Sequence, residues 1–250
     1  MNQFTKVICL LLIFTNCSRK PQSHRTIEDS NQNNKFEEVI TKEKASYVEV
    51  LNQLITYKSM YEKMYTTADS LKKTNKIGFL ESFVFEIADS LDNGHPSAYF
   101  IKSGELLAKA KYNEASFLYY LGYLRYRFYN LTNPTYKISD DGALYTSFKS
   151  IIGEPINIYL KANIDNFISI INSSVKYHND KDYRFYPRSK NVDNYDKQSN
   201  DLINLNSDLE KNKTKYVTGW NEERKTMERN IDNAIEKYNK KIKHNKKSKN

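Results

Sequence analysis

Side chains able to do chemistry are few and scattered in this chain. Of its four histidines, His24 and His244 lie in polar terminal stretches, which leaves His95 and His178 in the body. Neither lies in an HExxH pattern or beside a cysteine or aspartate at ligand spacing, so the sequence supports no metal site. GxSxG and SxxK patterns are missing, and with seven glycines in the chain few phosphate-cradling loops can be built. The carboxylate pairs Glu37-Glu38 and Glu222-Glu223 are adjacent residues. On a helix such neighbours point in different directions and make solvated faces, not a general acid facing a general base. The sequence thus predicts no catalytic residue, no metal and no cofactor.

Arginine is the more informative residue type. Lysine outnumbers it by about four to one, so the few arginines mark places that need a planar, bidentate donor. In the body they come in pairs: Arg125 and Arg127, Arg184 and Arg188, Arg224 and Arg229. Arg125 follows Leu121 by one turn and belongs at the edge of an apolar face, where Glu154 or Asp165 would pair with it and fix helix register. The polar, aromatic stretch 179–200 reads as a long loop, and long loops in compact domains tend to be functional or disordered. Its centre runs Tyr183-Arg184-Phe185-Tyr186-Pro187-Arg188. Tyrosine and arginine are favoured interface residues, which makes Tyr183, Arg184, Tyr186 and Arg188 the first candidate contact surface for a protein or peptide partner. Arg125 and Arg127 are the second.

Charge has to be located before it is interpreted. The formal net charge is +9, but six lysines fall between Lys240 and Asn250 with no acidic residue among them, so the rest of the chain is nearly balanced. A nucleic-acid binder would carry a basic stripe over a folded face. A basic tail instead solubilises, or meets anionic lipid headgroups, to which each lysine contributes about 1 kcal/mol. Nucleic acid is not an expected partner.

Apolar spacing defines the elements that must position these residues. Tyr47, Leu51, Leu54, Tyr57, Tyr61, Met64, Ala68 and Leu71 recur at three and four, the pattern of one long amphipathic helix. A second helix is predicted over Ile77 to Leu91, followed by turn chemistry at Asp92 to Pro96. Pro96 to Leu131 is the most apolar and aromatic stretch. It reads as two helices hinged at Lys111-Tyr112-Asn113 at the centre of the core. Short helices follow around Ala143 to Ile152 and after Gly153-Glu154-Pro155. Ile164, Phe167, Ile168, Ile171 and Val175 then form an apolar stripe capped by Asn163. A last helical element covers about Leu202 to Ile242, with an interruption near Thr218-Gly219. No alternating β pattern appears, so the fold class is all-α, a single multi-helix domain of antiparallel helix pairs.

Two resemblances add to this reading. Tyr99, Ser103, Leu106, Ala110, Tyr112, Ala115, Tyr119 and Gly122 have the identities and spacing of one hairpin that resembles the tetratricopeptide or Sel1 family. Ala110 stands where that family has its turn glycine, Lys102 where it has a large apolar residue, and no second copy follows at a period of about 34 residues. The family resemblance implies peptide binding. At the start of the chain, Lys6 and a short apolar run precede Phe14-Thr15-Asn16-Cys17, which resembles a bacterial lipoprotein box. Here Phe14 replaces the family's Leu, and Asn16 its small residue. The run is far shorter than the roughly 20 residues that span a bilayer. The resemblance implies cleavage before Cys17, lipidation of Cys17, and, with Ser18 next, release to the outer membrane. The only other cysteine, Cys9, lies in the apolar run, so the mature chain would hold no intramolecular disulfide.

The expected organisation is therefore a signal peptide at 1–16, a flexible tether at 17–35, a helical domain at 36–243 and a basic disordered tail at 244–250. The expected function is that of a membrane-anchored envelope lipoprotein, facing the periplasm, that acts as a non-enzymatic module for binding an envelope protein or peptide. The rivals are an immunity or inhibitor protein that neutralises a periplasmic toxin and, less favoured, an envelope-polymer hydrolase. Simple cleavage and release would make the protein soluble in the periplasm or secreted.

Overall fold

The computed structural model describes the backbone of residues 32–247 and the side chains of residue 42 and of residues 45–244. The predicted signal peptide, Cys17 and most of the predicted tether lie outside the described residues. Among the described residues there is no β-strand, and the all-α expectation holds. Contacts group them into two units, one formed by residues 63–222 and the other by residues 32–62 together with residues 223–247.

The larger unit is built around one helix. Helix α3 (Ser97–Ala108) and helix α4 (Tyr112–Thr132) form the hairpin read from the sequence. Helix α4 is buried on every side from Tyr112 to Gly122, and again at Leu124, Arg125, Tyr126 and Phe128. A helix wrapped on all faces is the core of its domain. The crossing is close because small residues sit at it. A Cβ on Gly122 would come within 2.6 Å of the Tyr99 Cβ, and the Ser103 hydroxyl donates to the Ala115 carbonyl at 2.7 Å. The reversal lies at Lys109-Ala110-Lys111, just before the expected hinge. Ala110 adopts φ +57°, its N–H donates to the Leu107 carbonyl, and the Lys111 N–H donates to the Leu106 carbonyl, both at 3.0 Å. These two bonds close a helix C-terminus in the manner that normally calls for glycine.

Around α4 pack helix α2 (Phe83–Leu91), helix α5 (Ala143–Phe148) between two π turns, helix α6 (Glu154–Lys161), helix α7 (Ile164–Asp180) and helix α8 (Val192–Lys211). The Asn163 side chain caps α7 by accepting from the Asn166 N–H at 3.1 Å, and the stripe Ile164, Phe167, Ile168, Ile171 and Val175 is buried as expected. Helix α1 (Gln32–Ser70) begins inside the predicted tether and buries Met64, Tyr65, Ala68 and Leu71 in this unit.

Three sequence expectations are corrected. Ile77 to Ser82 is not helical, because Gly78 takes φ +65° and its N–H donates to Asn166 Oδ1 at 2.8 Å. Asn113 then holds the same connection by donating to the Phe79 carbonyl at 3.0 Å. The predicted long loop 179–200 shrinks to residues 181–191, since α7 runs to Asp180 and α8 starts at Val192 under an Asn191 cap. The last helix, α9 (Lys213–Lys247), passes through Thr218-Gly219 unbroken. The interruption falls at Asn212 instead, and the helix covers 244–247 of the predicted tail.

In the smaller unit, the first part of α1 and the last part of α9 run antiparallel. Tyr47 meets Tyr238 with ring centroids 5.9 Å apart, while Lys58 pairs with Asp232 at 2.7 Å. Rising numbers on one helix therefore meet falling numbers on the other.

Candidate functional site

The short loop between α7 and α8 carries the candidate residues, and the interior beneath it explains its shape. Arg125 of α4 is fully buried, and its guanidinium lies 3.2 Å from Asp92 Oδ1, both side chains at zero exposure. The same guanidinium donates to the Lys181 carbonyl at 2.6 Å and to the Tyr195 hydroxyl. Tyr99 donates to Asp92 Oδ1 at 2.6 Å, and Tyr195 donates to the His178 carbonyl at 2.6 Å. The rings of Tyr183 and Tyr195 stand 5.1 and 5.8 Å from the guanidinium carbon. One cation thus ties together the end of α2, helix α3, the end of α7, the loop and helix α8. Burial pushes the Asp92 carboxyl above its ordinary range, while Arg125 and then the Tyr99 hydroxyl pull it back down.

From this interior the loop emerges fully pinned. The Tyr183 hydroxyl donates to the Gly94 carbonyl at 2.7 Å. Arg184 donates from Nε to Asn93 Oδ1 at 2.8 Å and pairs with Asp89 at 2.9 Å. The hydrogen bond from Arg184 holds the Asp89 carboxyl below its usual range. The Phe185 N–H donates to the Asp92 carbonyl at 2.8 Å. Tyr186 donates to the Thr132 carbonyl at 2.8 Å, and Arg188 pairs with Asp196 at 2.6 Å.

The candidate residues therefore divide. Arg125 and Tyr183 are interior and offer nothing to a partner. Arg125 does tie helices together, but its counter-ion is Asp92, not Glu154 or Asp165, and Asp92 sits among residues that read as a turn. Arg184, Tyr186 and Arg188 lie together at the surface, yet each polar head is engaged by the protein itself, so they hold the loop in place. Arg127 lies on another face of α4, donating to the Tyr123 hydroxyl at 2.8 Å and pairing with Asp201 at 3.3 Å.

The residue that stands out is Phe185, which the sequence reading passed over in favour of its polar neighbours. Phe185 is 42% exposed, and its ring sits 6.0 Å from both Tyr129 and His95. Exposed apolar side chains lie close by in the chain: Leu131, next to the Thr132 that holds Tyr186, and Ile138, three residues before the Asp141 that holds His95. No local signal marks it, since Arg184 on one side is taken up by Asp89, 95 residues away, and Arg188 on the other by Asp196.

His95 makes a second arrangement that needs a chemical reading. Its Nδ1 is 2.8 Å from Ser97 Oγ, and its Nε2 is 3.3 Å from Asp141 Oδ1, in outline a hydroxyl, a base and an orienting carboxylate. Acyl transfer also needs N–H donors aimed at the developing oxyanion. The N–H groups of Ser97, Ala98 and Tyr99 are already donated to His95 Nδ1, the His95 carbonyl and the Pro96 carbonyl. With those amides consumed, the arrangement works as a cap on α3. Among the described residues, no group of three or more His, Cys, Asp or Glu is placed to hold a metal ion. No protein-family model, curated protein or solved structure matches this chain.

Proposed function

We propose that this chain is a membrane-anchored envelope lipoprotein whose helical body is a non-enzymatic module that binds an envelope protein or peptide. The observation that carries the binding half is the Phe185 ring, half-exposed on a loop that the interior holds in one conformation. An aromatic anchor presented on a preorganised loop loses little entropy on binding, which is how a small patch gains affinity. Leu131 and Ile138 are exposed apolar side chains as well, and exposed apolar surface is where interaction sites are found. The lipobox-like Phe14 to Cys17 supports the anchored half. The resemblance of the α3–α4 hairpin to the tetratricopeptide family is consistent with peptide recognition.

Metabolic palmitate labelling tests the anchor. Cys17→Ala is expected to abolish the label and move the protein from the membrane pellet to the soluble fraction. Labelling that survives the substitution, or a wild type that takes no label, removes the lipoprotein reading.

A further inference from the structure

The smaller unit holds a charged surface that the binding loop does not use. At the end of the helix pair marked by the Tyr47 and Tyr238 contact, Lys237, Lys240, Lys241, Lys243 and His244 of α9 are all exposed. Lys237, Lys240, Lys241 and His244 line a shallow groove with Tyr47 and Glu236. Lys241 stands over the Tyr47 ring at 4.8 Å, which holds this cation along the groove. Glu236 offsets one charge, pairing with Lys240 at 2.6 Å, and no acidic residue follows it in the chain. By sequence, residues 35–49 of α1 carry three lysines and four glutamates, a net of −1 that leaves most of the excess.

Antiparallel register decides where this charge lies. Moving from Lys58 to Tyr47 on α1 corresponds to moving from Asp232 to Tyr238 on α9. The lysines beyond Tyr238 are therefore level with the part of α1 that precedes Tyr47, the part nearest in the chain to Cys17. Glu62, at the far end of this stretch of α1, lies about 22 Å farther along the helix axis than Tyr47. The residues between Cys17 and Gln32 reach at most about 50 Å when fully extended. An anchor at Cys17 would enter the pair from the side on which its basic end lies, although a reach of about 50 Å against a separation of about 22 Å leaves the orientation to the charge.

We infer that the lysine-rich end of α9 is a docking surface for anionic phospholipid headgroups. This inference rests on the anchored reading above for the presence of a membrane, but its chemistry is independent of lipidation. No described helix is long and apolar enough to cross a membrane, so the contact is a peripheral, electrostatic one. Lysine suits it as a flexible, compact point charge on a long stem. A second, electrostatic signal beside a lipid anchor both strengthens membrane attachment and orients the protein at the surface.

The test uses the full chain carrying Cys17→Ala, so that no lipid is attached, with vesicles of phosphatidylglycerol mixed into phosphatidylcholine and vesicles of phosphatidylcholine alone. Apolar segments partition into both alike, so the ratio of the two partition coefficients reads the charge. At low salt the ratio is expected to be tenfold or more and to fall towards one in 0.5 M sodium chloride. The triple substitution Lys240→Gln, Lys241→Gln, Lys243→Gln should bring it close to one, since a single lysine is worth up to about fivefold, with helicity by circular dichroism unchanged because Gln and Lys have similar helix propensities. Equal partition into the two vesicles overturns the inference, as does a preference that survives the triple substitution. Tighter binding to duplex DNA than to the anionic vesicles at equal ionic strength also overturns it. Loss of palmitate labelling in wild-type cells would instead strike the anchored reading and leave this result standing.

Discussion

Replacing Arg125 by Met removes the cation paired with Asp92, and the structure sets the size of the effect. The methionine fills most of the same volume, so packing loss is small. What remains is a carboxyl at zero exposure with only the Tyr99 hydroxyl against it. Breaking one side of a buried pair costs about 3–5 kcal/mol. The carboxyl can escape by taking a proton, and at pH 7 protonating a group of ordinary pKa near 3.9 costs about 4 kcal/mol, which caps this part of the deficit. At pH 5 the cap falls to about 1.5 kcal/mol. The Lys181 carbonyl, which loses its donor, adds about 1 kcal/mol at either pH. The sign follows from linkage: in the variant the folded state keeps a proton that the unfolded state releases, so stability falls as pH rises from the ordinary carboxyl range through the raised folded pKa. Urea unfolding of wild type and Arg125→Met at pH 7 and pH 5 reads the difference directly. A deficit under 1 kcal/mol at pH 7, or one equal at both pH values, would refute the reasoning. Adding Asp92→Leu should restore most of the loss and flatten the difference.

Other predictions use the same core. Ala110→Gly should stabilise by about 0.5–1 kcal/mol, because it releases the strain of a non-glycine residue at φ +57° and more than offsets the added freedom of the unfolded chain; a lower melting temperature would contradict it. Gly122→Leu should cost about 1–3 kcal/mol by overpacking against Tyr99, and a variant that melts like wild type would mean the hairpin does not cross there. His178 is buried with both ring nitrogens unpartnered, and burial, then Arg125, hold its pKa well below the ordinary value. The unfolded chain therefore binds a proton near pH 6.5 that the folded protein refuses, so stability should fall as pH drops below that range, by up to about 1.4 kcal/mol per pH unit. His178→Phe should remove that dependence between pH 7 and pH 5, and an unchanged slope would place the titration elsewhere.

How far the sequence could be read depended on whether a feature was local. The helix periodicities, the Asn163 cap and the close crossing at Gly122 depend on neighbours within a few turns, and spacing alone revealed them. The turn at Ala110 was visible as a substitution in a family pattern before its positive φ was known. Ile77 to Ser82 had helical apolar spacing but no helix, because Asn113 and Asn166, remote in sequence, hold its backbone. Long-range pairing hid the rest. Asp92 lies in a stretch whose neighbours signal a turn, and nothing local marks it as the counter-ion of Arg125. For the same reason Arg184 and Arg188 looked like contacts for a partner when Asp89 and Asp196 already engage them. Phe185 emerged as the exposed member only once the positions of its neighbours were fixed.

The central claim is that the Phe185 loop meets a partner in the cell envelope. Incorporating a photo-crosslinking phenylalanine analogue at position 185 in living cells, with the same analogue at the exposed Lys176 of α7 as a control, tests it most directly. The account predicts a discrete adduct of this chain with one envelope protein or peptide from position 185 and none from position 176. No adduct at 185, or the same adducts from both positions, would contradict it.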